Sequence, residues 1–242
     1  MSEPSEQDLT GQPQTEPVLV WDLAVRLFHW LLVLLLIAAW VTAEQGPAWM
    51  DRHMQVGYAV MTLILFRLVW GFCGSRYARF SSFLAGPRRI IGYIKGLLGG
   101  QSELIIGHNP LGGWSVVAML LMLLFQAGTG LFANDDIYNE GPLTGWVSNA
   151  TSGWLTGLHK LNFNLLLAII GLHIIAVLSY WIFKRENLIK PMFSGRKWLS
   201  REAIAETGVA GQPGRSLWWA LVIVVLSGGL VCWIVNQAPP FG

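Results

Sequence analysis

Five long apolar stretches constrain this 242-residue chain more than any other feature of its sequence. They are Val25–Thr42, His53–Gly71, Leu111–Ala133, His159–Phe183 and Ser216–Val235. A helix needs about 20 residues to cross the hydrocarbon core of a bilayer, which is about 30 Å thick. Because lipid offers no partner to unpaired backbone N–H and C=O groups, each stretch is predicted to be a membrane-spanning helix. The predicted fold class is therefore all-α.

The composition supports a membrane protein and excludes two other classes. Hydrophobic residues make up 53% of the chain and charged residues 12%, whereas about 25% of the residues in soluble domains are charged. The 16 Lys and Arg nearly balance the 14 Asp and Glu, so a nucleic-acid-binding surface is not expected. Neither Cys73 nor Cys232 belongs to a CxxCH motif, which excludes covalent attachment of a c-type haem.

The basic residues predict how the chain is oriented in the membrane. The loops after the second and fourth helices hold twelve Lys and Arg, and those after the first and third hold two. Basic loops remain in the cytoplasm, so the N-terminus is predicted inside and the C-terminus outside. The predicted organisation is a disordered polar tail (1–17), a four-helix domain (18–186), a basic cytoplasmic loop (187–215), and a fifth helix with a short periplasmic tail (216–242).

One segment between the second and third helices has two interpretations. Pro87–Gly100 mixes bulky apolar residues with three cations. Such a mixture is typical of a short helix lying in the membrane interface. A loop that only touches the membrane surface is the alternative, and the sequence does not decide between them.

Four of the five histidines fall at two matching depths. His159 and His173 are 14 residues apart on the fourth helix, a separation of about 21 Å along the axis on nearly the same face. His53 begins the second helix at the outer side, level with His159. His29 lies about 20 Å from the outer end of the first helix, at the depth of His173. The predicted pairs are therefore His53 with His159 and His29 with His173.

Paired histidines at membrane depth indicate haem. A histidine inside a span is a functional hypothesis by default, and the alternative is a polar side chain satisfied between helices. Two facing imidazoles supply the two axial ligands of a six-coordinate haem iron. Zinc would require three or four clustered ligands, which two separate pairs do not provide. We therefore predict two non-covalent haem b groups.

Other residues of these helices fit the same interpretation. Gly57 lies one turn after His53, where the missing side chain leaves room for a ring. Arg67 lies about 21 Å further along the helix and is predicted to contact a haem propionate or a quinone. Its alternative is to extend to the cytoplasmic surface. Gly157 and Gly171 lie on the opposite face to the histidines of the fourth helix and are predicted to permit close helix packing.

The fifth histidine, His108, precedes Asn109 at the inner end of the third helix and has no partner at its depth. We interpret it as a non-ligand that either hydrogen-bonds a quinone or propionate or lies on the surface. Together with Arg67 and Asn109 it forms a candidate quinone site near the inner pair. Histidine suits such a site because it can supply both a hydrogen bond and a proton near neutral pH.

Four segments of the chain resemble the bacterial cytochrome b561 family, which includes the b-type cytochrome subunits of nickel–iron hydrogenases. They are VWDLAVRLFHW (Val20–Trp30), HMQVGYAVMTLILFRLVWG (His53–Gly71), HNPLGGW (His108–Trp114) and HKLNFNLLLAIIGLHIIAVL (His159–Leu178). The resemblance implies a four-helix bundle with two b haems that exchanges electrons with a quinone and a redox partner. Carried over by position, the haem ligands are His29, His53, His159 and His173. Unlike the hydrogenase-associated members, this chain has no further His close to His29.

The predicted function is electron transfer across the bacterial inner membrane. It would link the quinone pool of the respiratory chain to a periplasmic redox protein such as a c-type cytochrome. Two alternatives stay open, the cytochrome subunit of a hydrogenase-like complex and a superoxide:quinone oxidoreductase, so the sequence does not decide whether the protein is itself an enzyme. A transporter is not favoured, because neither inverted repeats nor broken helices are evident.

Partners of the bundle are predicted less specifically. The fifth helix has no ionisable residue in its interior, which predicts a packing or docking role. A homodimer or a larger complex is possible. The outer loop after the third helix is acidic and suits a basic protein partner. Its carboxylates are Asp135, Asp136 and Glu140.

Overall fold

The computed structural model describes residues 15–100, 105–207 and 214–237. Its helices are α1 (Leu23–Glu44), α2 (Met50–Cys73), α3 (Phe80–Phe83), α4 (Pro87–Leu98), α5 (Pro110–Gly130), α6 (Asn149–Phe183), α7 (Ile189–Ser194), α8 (Arg201–Thr207) and α9 (Leu217–Val235). Five of them, α1, α2, α5, α6 and α9, are long and apolar enough to cross a membrane. Each overlaps one of the predicted stretches. The predicted all-α membrane fold with a fifth spanning helix is confirmed.

Side-chain caps set where the long helices begin. Asp22, Asn109 and Ser148 each accept a hydrogen bond from the backbone N–H three residues later, at the starts of α1, α5 and α6. A cap of this kind satisfies an N–H that has no carbonyl partner within the helix. Helix α6 was predicted to begin at His159, but it begins at Asn149, and the cap at Ser148 explains this earlier start. The prediction followed the apolar run alone, whereas the helix extends ahead of it.

Two helical hairpins make up the bundle. Helix α1 packs on α2, α5 packs on α6, and contacts between α2 and α5 join the two hairpins. Several side chains of α2 are buried between the helices, and Ile64 and Trp70 are almost fully enclosed. By contrast, large apolar side chains such as Leu172 and Ile175 of α6 are more than half exposed. Exposed apolar side chains along a spanning helix are the surface that lipid covers.

The fifth spanning helix, α9, packs against α2. Its buried side chains are Ala220, Ser227 and Val231, spaced so that they share one side of the helix. Gly228 lies against Thr62 of α2, whose methyl group would be 3.7 Å from a Cβ at that glycine. Small residues at such a contact allow two helices to approach closely.

A small sheet joins two segments that were predicted to be irregular. Strand β1 (Thr15–Leu19) pairs antiparallel with β2 (Arg196–Ser200). Val18 packs there against Leu199 and Ile204, and burial of these apolar side chains stabilises the pairing. The end of the predicted disordered tail, residues 15–17, is therefore a strand, and residues 1–14 lie outside the described residues. The predicted basic loop likewise contains α7, β2 and α8.

The segment with two interpretations is a helix. Helix α4 spans Pro87–Leu98 and carries proline at its first position, where the missing N–H has no consequence. Ile91 and Leu98 are exposed, and the helix contacts α5. Its position in the membrane interface and the orientation of the whole chain stay predictions.

Candidate functional site

The outer end of the bundle, defined by His53 and His159, brings these two side chains together as predicted. Their ring centroids are 6.2 Å apart and their planes meet at 82°. A metal bonded to one nitrogen of each ring at about 2.0 Å would place the centroids about 6 Å apart. The spacing thus fits two axial ligands on either side of one metal ion.

Hydrogen bonds determine which nitrogen of each outer ring is free. Nδ1 of His53 lies 2.9 Å from the carbonyl oxygen of Ala39 on α1. Nδ1 of His159 lies 3.0 Å from that of Gln126 on α5. Because a carbonyl oxygen only accepts, each Nδ1 carries the proton and donates it. Nε2 of each ring therefore keeps the lone pair that a metal ion binds.

Polar side chains that the sequence interpretation overlooked surround these bonds. Thr42 on α1 and Thr129 on α5 are buried, and their hydroxyl oxygens lie 3.5 Å and 3.3 Å from the histidine Nδ1 atoms. Asn162 donates to the side-chain oxygen of Gln126 at 2.7 Å and ties α6 to α5 one turn after His159. The sequence could have identified these residues, because polar residues within apolar spans mark functional positions.

The glycines near the paired histidines differ in how much space surrounds them. No described atom lies within 4 Å of a Cβ placed on Gly57, so the space predicted beside it exists. A Cβ on Gly130 would lie 3.1 Å from the His159 ring, a close approach that the sequence did not reveal. Gly157 and Gly171 also have no described atom within that distance. The predicted packing role of these two glycines is wrong within the described part of the chain, because neither closely faces another helix there.

The inner end of the bundle is defined by His29 on α1 and His173 on α6. The two side chains lie within electrostatic range of each other. Nδ1 of His29 is buried and has no hydrogen-bond partner among the described residues. The Trp30 ring meets His29 edge-on at 5.0 Å and stacks on Phe193 of α7 at 4.4 Å. The structure therefore places the predicted inner pair within electrostatic range, with α7 packed beside Trp30.

Arg67 of α2 is buried at the inner end. It is 3% exposed, so the alternative in which it extends to the surface is wrong. Its guanidinium lies 5.3 Å from the centre of the Phe80 ring and within electrostatic range of Asp22. Its Nη1 atom is buried, with no acceptor in the part of the chain that the structure describes. A buried cation in this state favours an anionic or carbonyl partner.

His108 lies beside the inner pair rather than on the surface, which corrects one of its two interpretations. Its ring contacts Trp21 and Phe83, with centroids at 4.6 and 4.7 Å. Burial, with a smaller effect from the nearby charge of Arg67, lowers the pKa of His108 to about 3. The ring is therefore neutral near pH 7, and its predicted role as a proton source stays a prediction. It keeps a hydrogen-bonding role, since its buried Nδ1 has no partner within the described ranges.

Both polar atoms of the Asn109 side chain are hydrogen-bonded within the protein. Its side-chain oxygen caps α5 by accepting from the N–H of Gly112 at 2.7 Å. Its amide nitrogen donates to the hydroxyl of Tyr180 at 2.8 Å, and that hydroxyl also hydrogen-bonds Tyr93 of α4. Of the three candidate quinone residues, Arg67 and His108 thus have a buried atom without a described partner, whereas Asn109 is occupied.

The acidic loop beyond the outer end is folded around one carboxylate. Asp135 accepts three backbone N–H bonds and one from the side chain of Asn139. These bonds hold the pKa of Asp135 well below its usual range, with Asn139 contributing most. An open cleft of about 420 Å³ adjoins the loop. It is lined by Asp51, Met54, Tyr138, Asn139 and Glu140.

The ligand types also agree with pairs rather than a cluster. Within residues 15–100, 105–207 and 214–237, no group of three or more His, Cys, Asp or Glu could hold a metal ion. A zinc centre of the usual kind needs such a group. A bis-histidine haem needs only two opposed imidazoles, and the outer pair, with both Nε2 atoms free, fits that group.

Comparison with known proteins places the chain among membrane cytochromes. The family model described as prokaryotic cytochrome b561 matches residues 20–195. A probable Ni/Fe-hydrogenase B-type cytochrome subunit from Rhizobium leguminosarum bv. viciae is 25% identical, with 76% of this chain and 90% of the relative aligned. Proteins with the same description from Rhodobacter capsulatus (23% identical; 82% and 88% aligned) and Azotobacter chroococcum mcd 1 (26% identical; 74% and 87% aligned) are similar. No solved structure matches the chain.

Proposed function

This chain belongs to the prokaryotic cytochrome b561 family, and we propose that it carries electrons across the membrane through two haem b groups. It is a multi-pass bacterial membrane protein and a b-type cytochrome. The proposed ligands are His53 and His159 for the outer haem and His29 and His173 for the inner one. The observation that carries the proposal is the outer pair, with ring centroids 6.2 Å apart and both Nδ1 atoms donating to carbonyls.

The chain's own contribution is to hold and separate the two centres. Bound haem supplies an iron that accepts and releases one electron at a time. The 14 residues between His159 and His173 on one helix separate the two sites by about 21 Å along the helix axis. Ala39 and Gln126 orient the outer rings through their carbonyls. Apolar side chains such as Ile64, Leu123 and Leu166 pack together inside the bundle.

Quinone chemistry is proposed at the inner end. The support is the pair of buried polar atoms on Arg67 and His108 that lack a described partner. A quinone carbonyl or a haem propionate would accept hydrogen bonds from them. Asn109 contributes indirectly, by fixing the start of α5 and the position of Tyr180.

The redox partner is proposed to dock at the outer end. The support is the cleft beside the first turn of α2, where Asp51 and Glu140 are two of the lining residues. A basic protein surface, such as that of a c-type cytochrome, would complement it. The relatives are described as Ni/Fe-hydrogenase B-type cytochrome subunits, which favours a second candidate, the membrane subunit of a hydrogenase-like complex. The N-terminus is proposed to be cytoplasmic and the C-terminus periplasmic.

Haem stoichiometry tests the proposal directly. A pyridine haemochrome assay on purified protein should give two haems per chain, extractable by acid acetone. His53→Ala and His159→Ala should each remove the same haem, and His29→Ala and His173→Ala should each remove the other, as resolved by redox titration. His108→Ala is the matched control and should retain both. One haem in the wild type, or loss of the same haem from His29→Ala and His159→Ala, would contradict the proposal.

A further inference from the structure

The outer ends of the two hairpins repeat one arrangement of three groups. In each, a threonine on the first helix donates to carbonyls three and four residues before it, and a histidine on the second helix donates to the nearer of those carbonyls. The groups are Thr42, Ala39 and His53 in α1–α2, and Thr129, Gln126 and His159 in α5–α6. The threonine bonds measure 2.7 and 3.0 Å for Thr42 and 2.8 and 3.1 Å for Thr129.

These threonines are placed to act on the histidines. Each hydroxyl donates its only hydrogen to backbone carbonyls, so its oxygen can act towards the imidazole only as an acceptor. The oxygen lies 3.5 Å from Nδ1 of His53 and 3.3 Å from Nδ1 of His159. Thr42 and Thr129 are only 7% and 4% exposed, so bulk water does not compete for these contacts. Each imidazole N–H thus has two acceptors, a carbonyl and a hydroxyl.

We propose that Thr42 and Thr129 are a matched pair of positioning residues that orient the outer axial histidines and lower the reduction potential of the outer haem. This inference rests on the proposed function, because it requires His53 and His159 to be the ligands. Acceptors on an Nδ1–H increase the basicity of the opposite nitrogen. A more basic ligand stabilises the ferric iron relative to the ferrous iron that forms when one electron is added. The hydroxyls therefore make the outer haem harder to reduce.

The chain contains its own reference sites. The inner site lies about 21 Å from the outer one along α6, and Nδ1 of His29 has no partner among the residues described. A change at the outer threonines should therefore leave the inner haem unaltered. Thr62 on α2 supplies a matched control, because its hydroxyl makes the same bond to the carbonyl four residues earlier, at 2.9 Å. Its methyl group, however, faces Gly228 of α9 rather than a histidine.

The test uses the full-length, haem-loaded protein with Thr42→Val, Thr129→Val, Thr62→Val and the two serine variants at the outer positions. Valine keeps the shape and removes the hydroxyl, whereas serine keeps the hydroxyl. Redox titration should show the outer potential shifted upward in both Thr42→Val and Thr129→Val, further in the double variant, with the inner potential unchanged. The ferric low-spin EPR signal of the outer haem should shift too, because it depends on the angle between the imidazole planes. Serine should restore both readouts, and Thr62→Val should match the wild type.

Each other outcome is also decisive. An unchanged or lowered outer potential in either valine variant, or an equal shift in Thr62→Val, would overturn the role of the threonines. If a valine variant loses a haem, retention of that haem with wild-type potential in the serine variant supports the proposal, and loss in serine overturns it. Failure of the proposed function is seen separately, as the retention of both haems in His53→Ala and His159→Ala.

Discussion

The two ends of the bundle hold their histidines differently. At the outer end, both His53 and His159 donate Nδ1–H to carbonyls of the neighbouring helices. At the inner end, buried atoms of His29, Arg67 and His108 have no hydrogen-bond partner among the described residues. The outer pair is thus oriented by the protein alone, whereas the inner end presents polar atoms that groups from outside the chain can satisfy.

This contrast follows from energetics. A buried polar group without a partner costs about 1–3 kcal/mol, so three such groups at the inner end favour a bound molecule that supplies their partners. Haem propionates and a quinone carbonyl are acceptors of the required kind. The comparison therefore suggests that the outer end is built for fixed geometry, as electron exchange with a docked protein requires, and the inner end for binding an exchangeable substrate.

The largest expected effect is on quinol-driven haem reduction in Arg67→Leu. Losing a charge-assisted hydrogen bond should cost about 1.5–3 kcal/mol, so the rate should fall about tenfold or more. Arg52→Leu is the matched control, because Arg52 lies at the outer end with its guanidinium 4.4 Å from the Trp49 ring centre. Stopped-flow reduction of variants that retain both haems measures the effect. Equal rates in Arg67→Leu and the wild type would remove the inner end as the quinone site.

A smaller effect is expected in the pH dependence of stability. Burial lowers the pKa of His108 to about 3, whereas a histidine in the unfolded chain titrates near 6.5. Between these values the unfolded state binds more protons, so stability falls as the pH drops below about 6.5, by up to about 1.4 kcal/mol per pH unit. The melting temperature measured in detergent should therefore change less between pH 5 and 8 in His108→Leu than in the wild type.

At pH 7.5 to 8 neither the wild type nor His108→Leu carries a charge at this position. The difference in stability between them there measures the effect of the substitution on packing. A pH dependence identical to that of the wild type would show that His108 is solvated. It would then no longer distinguish the inner end from the outer one.

The smallest expected effect concerns the open space at the outer end. Gly57→Ala and Gly157→Ala each place a methyl group where no described atom lies within 4 Å. Only Gly57 shares a face with a proposed ligand, His53, so only Gly57→Ala should crowd the haem. The expected result is a partial loss of the outer haem in Gly57→Ala and normal content in Gly157→Ala. Equal haem content in the two variants would show that the space beside Gly57 is not the haem site.

The sequence by itself determined the spans and the depths of the histidines. Helical rise and period are properties of the backbone, so the 14-residue spacing of His159 and His173 specified two levels before any packing was known. The apolar runs specified five spanning helices for the same reason, since lipid leaves the backbone no other structure. The exact residue at which each helix begins was harder to predict, because a cap such as Ser148 lies outside the apolar run.

Only the tertiary structure decided what each histidine touches. The acceptors of His53 and His159 are backbone carbonyls of Ala39 and Gln126, and a carbonyl has no sequence signature because every residue carries one. The burial of His108 likewise depends on Trp21 and Phe83, which reach it from distant parts of the chain. Helix periodicity acts within one helix, whereas these contacts arise between segments whose relative positions are set by packing.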